Sequence, residues 1–215
     1  MARWLQWLTV CCCLVATGAA AAERPAKGRF LVAARDMQSP IFAESVVLLL
    51  NYDADAGAMG VIVNHRTSVG AGEVLPPEAG AGRYPGPMYV GGPVEMHVII
   101  ALLRTERPPA TSLSIFGDVH LTPPEKALAE NPGADASRLR FYVGYAGWAP
   151  GQLEGEIARG DWHIRPASAD LVFAKEPDDV WRTLVPPQGL QVAGDKGTFL
   201  IFPTRRGSVP LSLEK

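Results

Sequence analysis

Apolar positions along this chain come in short runs separated by turn-forming clusters, and most runs are too short for an independent helix. Residues Gly28 to Ala34 read as a first strand. Ser45 to Leu50 is a continuous apolar run, the signature of a strand covered on both faces. The cluster Asn51-Tyr52-Asp53-Ala54-Asp55-Ala56-Gly57 follows, and Ala58 to Asn64 returns with Val61-Ile62-Val63 at its centre, so the two runs predict a hairpin. Ser68 to Pro87 holds nine Gly and Pro residues, Gly70, Gly72, Gly80, Gly82, Gly86, Pro76, Pro77, Pro85 and Pro87, which predicts a long loop without a regular element.

Strand character resumes at Met88 to Val90 and stops at Gly91-Gly92-Pro93, read as a tight turn. Val94 to Leu103 predicts another strand, with His97 half-buried on it, and Leu113 to Phe116 and Val119 to Leu121 are short apolar pieces. Thr122-Pro123-Pro124-Glu125 has the form of a capping box, with Thr122 as cap, and predicts a short helix ending by Asn131-Pro132-Gly133. Leu139 to Tyr145 is a strand, Gly151 to Arg159 a helix stopped by Gly160, Trp162 to Arg165 a brief strand, and Glu176 to Leu184 a last helix with acids at its positive end. Beyond Pro186-Pro187 the one strand-like run is Thr198 to Phe202. Helices and strands mix without βαβ alternation, which favours an α+β class, and no internal repeat is visible. The glycine-bearing blocks from Gly28 onward are expected to bury one common core, with the corner at Trp148 fixing a helix upon it.

The N-terminus changes the picture of the compartment. Arg3 precedes an uncharged apolar stretch from Trp4 to about Ala16, which ends in Thr17-Gly18-Ala19-Ala20-Ala21-Ala22 before Glu23. This is the layout of an export signal cleaved near Ala22, and it predicts an exported, periplasmic protein. The alternatives are an uncleaved membrane anchor, which is the single route to a membrane association, a lipidated cysteine, disfavoured by the bulky Val10 before Cys11, and a misassigned start, disfavoured because the next Met is Met37. The domain plan is then a signal peptide over 1–22, a short lead over 23–27, one domain over 28–184 and a C-terminal extension over 185–215.

Cys11, Cys12 and Cys13 all fall in the leader, so the exported chain would carry neither thiol nor disulfide. Removing 22 of 215 residues leaves 193, enough for one sizeable core, and the loss of Arg3 takes the formal net charge from −2 to −3. A weakly acidic chain is not expected to bind nucleic acid.

Candidate chemistry is sparse. The sequence holds no G-x-S-x-G, no P-loop and no G-x-G-x-x-G, and His65, His97, His120 and His163 have no metal-ligand spacing, so no catalytic residue, cofactor or metal is expected. His65 and His163 are read as partly exposed residues at loop or strand ends. The stretch Gly144-Tyr145-Ala146-Gly147-Trp148-Ala149-Pro150-Gly151-Gln152-Leu153-Glu154-Gly155-Glu156-Ile157 stands apart, because small residues let the backbone turn sharply beside two aromatics. A ligand or partner site from Trp148, Gln152 and Glu154 is weighed there against an aromatic bracket that packs the helix on the sheet. Glu154 and Glu156 are two apart and point to different faces, so they form no acid–base pair. Asn64 and Arg66, at a strand end, complete the candidate site Asn64, Arg66, Trp148, Gln152 and Glu154.

Five blocks in order carry a resemblance: Gly28-Arg29-Phe30-Leu31-Val32-Ala33, Phe42-Ala43-Glu44-Ser45-Val46-Val47, Gly57 to Asn64, Gly91-Gly92-Pro93-Val94, and Gly144 through Glu156. Together they are similar to the AlgH/YqgE family (UPF0301), the last block matching its G-Y-A-G-W-x-x-G-Q-L-E-x-E signature. The resemblance implies a mixed α+β fold with a bifurcated sheet curled into a pseudo-barrel and a few short helices packed on it. It implies no reaction. Family members are often labelled transcriptional regulators and are typically cytoplasmic, and an exported protein cannot reach a promoter. Further departures are Ala101-Leu102-Leu103-Arg104, where a Leu-His pair is usual, and the extra tail after Leu184. The function expected is a non-catalytic binding or interaction module of the cell envelope, with an unidentified protein or small ligand as partner and an open oligomeric state. The alternatives are an unrecognised hydrolase using Glu154 or Asp118 as base in a cleft, and the regulator that the family label suggests.

Overall fold

A computed structural model describes residues 24–75 and 84–187. In chain order the elements are β1 (Arg29–Ala33), β2 (Val46–Asp53), β3 (Gly57–Ile62), β4 (Arg66–Gly70), α1 (Ala71–Val74), β5 (Pro87–Val90), β6 (Val94–Arg104), β7 (Leu113–Phe116), β8 (Val119–Thr122), α2 (Pro124–Glu130), β9 (Leu139–Trp148), α3 (Gln152–Arg159), β10 (Trp162–Pro166), α4 (Ala169–Val172) and α5 (Asp178–Leu184). The expected leader over 1–22 and the strand-like run Thr198 to Phe202 lie outside the described residues. Among the described residues, no helix is long and apolar enough to cross a membrane.

The strands form one α+β sheet in the order β10-β1-β2-β3-β9-β6-β8-β7, with β4 and β5 off this path. The bifurcation lies at β9. Its far half pairs antiparallel with β3, Ala58 facing Trp148, while its near half pairs parallel with β5, Tyr89 facing Tyr142. Antiparallel β6 occupies the other edge, with Leu103 opposite Leu139. The fork requires two glycines where backbones converge: Gly91 N donates to Val143 O, Gly91 O accepts from Ile62 N, and a Cβ on Gly92 would overlap the backbone of Tyr145. The expected tight turn is therefore a close approach of three strands. The sheet also curls, because Lys27 Nζ at the foot of β1 reaches Ser114 O on β7 at 3.0 Å, and Gly28 abuts Phe116.

Side-chain alternation with period 2 divides the core. On β6, Ile100 and Leu102 join the large cluster inside the curl, whereas Ala101 and Leu103 join a second cluster on the outer face. On β9 the same split sends Tyr142, Ala146 and Trp148 inward and Leu139 and Phe141 outward, beneath Ala71 of α1, Tyr84 and Ala127 of α2. The glycine-bearing blocks thus meet in one core, the large cluster, and a smaller second cluster on the opposite face of β6 and β9 is added by residues outside those blocks.

Further differences have local causes. The segment expected to be a structureless loop from Ser68 contains most of β4 and α1, because Gly70 pairs with Pro87 and Glu73 Oε1 accepts from Gly70 N at 2.8 Å. Thr122 does not cap α2. It ends β8 and exchanges a hydrogen bond with Ser112 at 2.9 Å, and Pro123 takes the cap position without a side-chain bond. His97 is exposed, on a stretch of β6 whose register slips between Val94 and Ile99. His65 and His163 are half-buried, as expected. β9 runs on to Trp148, which places that side chain at the site described next.

Candidate functional site

The end of β9, helix α3 and the start of β10 are built around Glu156. Residues Tyr142, Ala146 and Trp148 share one face of β9, so Trp148 enters the core with 6% of its surface exposed. Gly151 then takes a positive φ of 76°, which turns the chain into α3. On α3, Gln152 and Glu156 are four apart and therefore neighbours on one face. Gln152 Oε1 accepts from Ala149 N at 3.1 Å, and Gln152 Nε2 donates to Glu156 Oε1 at 3.0 Å. Gly160, at φ 86°, closes the helix, and its N–H caps the carbonyls of Glu156 and Ile157. The chain thus re-enters the sheet at Trp162, 3% exposed. Trp148 and Trp162 both donate their indole N–H to Glu156 Oε2, each at 2.8 Å. Buried indoles need such partners, and one carboxylate serves both.

Residues 34–45, between β1 and β2, form the other wall. Phe42 stacks on Trp148 with ring centroids 6.3 Å apart and meets Trp162 edge-on at 5.5 Å. Between the walls lies an open cleft of about 450 Å³, lined among others by Asp36, Met37, Phe42, Gln152, Glu156 and Arg159. Arg159 pairs with Asp161, another lining residue, at 2.7 Å. Beside the cleft, burial lowers the pKa of His163, with Arg165 adding to the effect and Asp36 opposing it.

Of the residues singled out in the sequence, Trp148 and Gln152 meet in the cleft. Asn64 does not line it. At 4% exposure it accepts from Val46 N at 2.8 Å and donates to Glu44 O at 2.9 Å, a brace on the end of the loop that carries Phe42. Arg66 is exposed at the start of β4 and faces Tyr89 across the pairing, away from the cleft lining. Glu154 turns to the opposite face of α3, as the two-residue spacing from Glu156 requires, and accepts from Tyr52 Oη at 2.6 Å. That bond raises the Tyr52 pKa, and burial and charge add to it.

The other proposed base, Asp118, is bonded to Arg104 at 2.9 Å in a shallow depression shared with Arg138. Neither Glu154 nor Asp118 stands in the cleft. Among the described residues, no cluster of three or more His, Cys, Asp or Glu side chains could hold a metal ion.

Sequence reasoning missed Glu156, Trp162 and Phe42. A signal was present for the first two: Gln152 and Glu156 at i, i+4 between two tryptophans, each of which needs an acceptor. Phe42 carried none, because its place depends on how residues 34–45 fold back.

Comparison with known proteins gives concordant results. The AlgH-like family model matches residues 30–193. A UPF0301 protein of Methylococcus capsulatus is 38% identical over 167 residues, which cover 76% of this chain and 91% of that one. One from Streptomyces coelicolor is 35% identical, covering 74% and 84%. Among solved structures, a crystal structure of a Corynebacterium diphtheriae protein superposes with a TM-score of 0.68 at 28% identity, covering 79% of this chain and 91% of that one. The solution structure of the AlgH protein from Pseudomonas aeruginosa gives 0.60 at 25% identity, covering 80% and 95%.

Proposed function

We propose, from the premise that this chain belongs to the AlgH-like family, that it is a non-catalytic binding or interaction module of the cell envelope, recognising its ligand or partner in the cleft at the β9–α3 corner. One observation carries the reading. Glu156 is held at the cleft wall by two buried indole N–H groups and one amide, so its carboxylate is fixed in position before anything binds. A preorganised charged group in a concave site with aromatic walls is what ligand recognition requires. The placement in the envelope rests on the leader-like residues 1–22.

The test uses the full-length protein and the indole N–H resonances. Trp148 and Trp162 report on the cleft, while Trp181, which donates to Ala33 O at 2.8 Å, is a control outside it. A panel of anionic, neutral and cationic small molecules and peptides is titrated. Saturable shifts at Trp148 and Trp162 without change at Trp181, weakened in Gln152→Ala, are expected for at least one class. Silence across every class would remove the binding reading, and recovery of the tagged chain with the cytoplasm, its N-terminus intact, would remove the envelope.

A further inference from the structure

Resting on the reading of the cleft as a recognition site, we infer that its ligand presents a primary ammonium group on an alkyl stem. The argument begins with acceptor positions. A carboxylate offers about four. Glu156 uses three, two on Oε2 for Trp148 and Trp162 and one on Oε1 for Gln152. One position on Oε1 is left for a single donor.

Charge makes that donor a cation. The cleft is lined by the carboxylates of Asp36, Glu156 and Asp161 against one guanidinium, Arg159, which is engaged with Asp161. Among the described residues, Asp36 and Glu156 have no ion-pair partner, so the cleft attracts positive charge.

Geometry then separates the kinds of cation. A guanidinium binds a carboxylate best through two parallel N–H bonds, and Glu156 has no second position for the fork. A quaternary ammonium has no N–H to give and relies on exposed ring faces. Here the two indoles are 6% and 3% exposed and aim their N–H edges at Glu156. A primary ammonium is a compact donor that satisfies Oε1 with one N–H and leaves others for Asp36, while its methylene stem lies along Phe42 and Met37. Both a free alkyl amine and a lysine side chain in a polypeptide carry this chemistry.

Four probes are titrated into full-length protein with the indole resonances as readout: n-butylamine, the acetylated and amidated tripeptide Gly-Lys-Gly, its arginine counterpart and its trimethyllysine counterpart. The ammonium probes are expected to bind about tenfold more tightly than the other two, the scale of one charge-assisted hydrogen bond. Asp36→Asn, on the exposed loop, and Glu156→Gln are each expected to weaken them by a similar factor. A response to butylamine identifies a free amine as sufficient, and a response to the lysine peptide alone identifies a polypeptide; either upholds the inference. Equal binding by the arginine or trimethyllysine peptide overturns it. So does a cleft that answers to an anionic or neutral ligand and to no ammonium, an outcome that leaves the binding module standing.

Discussion

Trp162 donates its indole N–H to Glu156 Oε2 at 2.8 Å, across the left-handed Gly160 that ends α3, so the helix and the strand after it are joined by one side-chain bond. Trp148 uses the same oxygen from the strand before the helix. Removal of the carboxylate leaves two buried donors without a partner, each costing about 1–3 kcal/mol. Glu156→Ala is therefore expected to lose roughly 2–6 kcal/mol in urea unfolding, and Glu156→Gln, which keeps an oxygen acceptor, less than half as much. A loss under about 1 kcal/mol in Glu156→Ala would contradict the shared-acceptor geometry.

Glu154 belongs to the other face of the same helix, and its substitution separates the two carboxylates. Its hydroxyl partner Tyr52 has its pKa raised above 10.0, first by that hydrogen bond. Glu154→Gln is expected to bring the Tyr52 phenol back toward its ordinary titration, followed by ultraviolet absorbance. The Trp148 and Trp162 resonances should stay in place, because both indole N–H groups are bonded to Glu156 and not to Glu154. Movement of both sets together would show that the faces of α3 are coupled.

Gly57 opens β3 opposite the end of β9. Its φ is +100°, and a Cβ there would overlap the carbonyl oxygen of Trp148, so Gly57→Ala meets both backbone strain and a clash with the strand that carries the cleft. Gly133 has a similar positive φ of 84° with nothing within 4 Å. Gly133→Ala should then cost the strain alone, about 1–2 kcal/mol, and Gly57→Ala clearly more, about 3 kcal/mol or above. Equal losses in thermal unfolding would mean that the β3–β9 contact yields more easily than its geometry implies.

The elements were legible where a local signal decides the outcome. The apolar run from Ser45 marked β2, the Asp/Gly cluster marked the hairpin, and Gly160 marked the end of α3 where the structure has it. Local signals misled at Thr122, because a cap competes with strand pairing, and β8 claims that residue. At Ser68 to Pro87 the breakers are real, yet a strand forms around them through its pairing with β5. The site was half legible. Trp148 and Gln152 sit in a distinctive stretch, whereas Asp36 and Phe42 reach the cleft across more than a hundred residues of sequence, a juxtaposition made by the curl and the β1–β10 pairing. Asn64 drew notice as a polar strand end and proves to be a buried brace, a distinction that depends on knowing what covers it.

Acid sensitivity follows from the two half-buried histidines. Burial lowers the pKa of His65, with Asp178 and the Ala43 carbonyl opposing, and burial with Arg165 lowers that of His163, with Asp36 opposing. Both rings therefore take up protons at lower pH in the fold than in the unfolded chain, where they do so near pH 6.5. Where the unfolded state binds more protons than the native one, stability rises with pH. The contribution is complete above pH 6.5 and is lost as pH falls from there toward the lower folded values, below which it levels off. The urea midpoint is therefore expected to fall between about pH 7.5 and 5, a window above the titration of ordinary carboxylates. Substituting both histidines with Gln should flatten that slope. A midpoint that climbs on acidification would show the imidazoles to be held charged in the fold, the reverse of what their burial dictates.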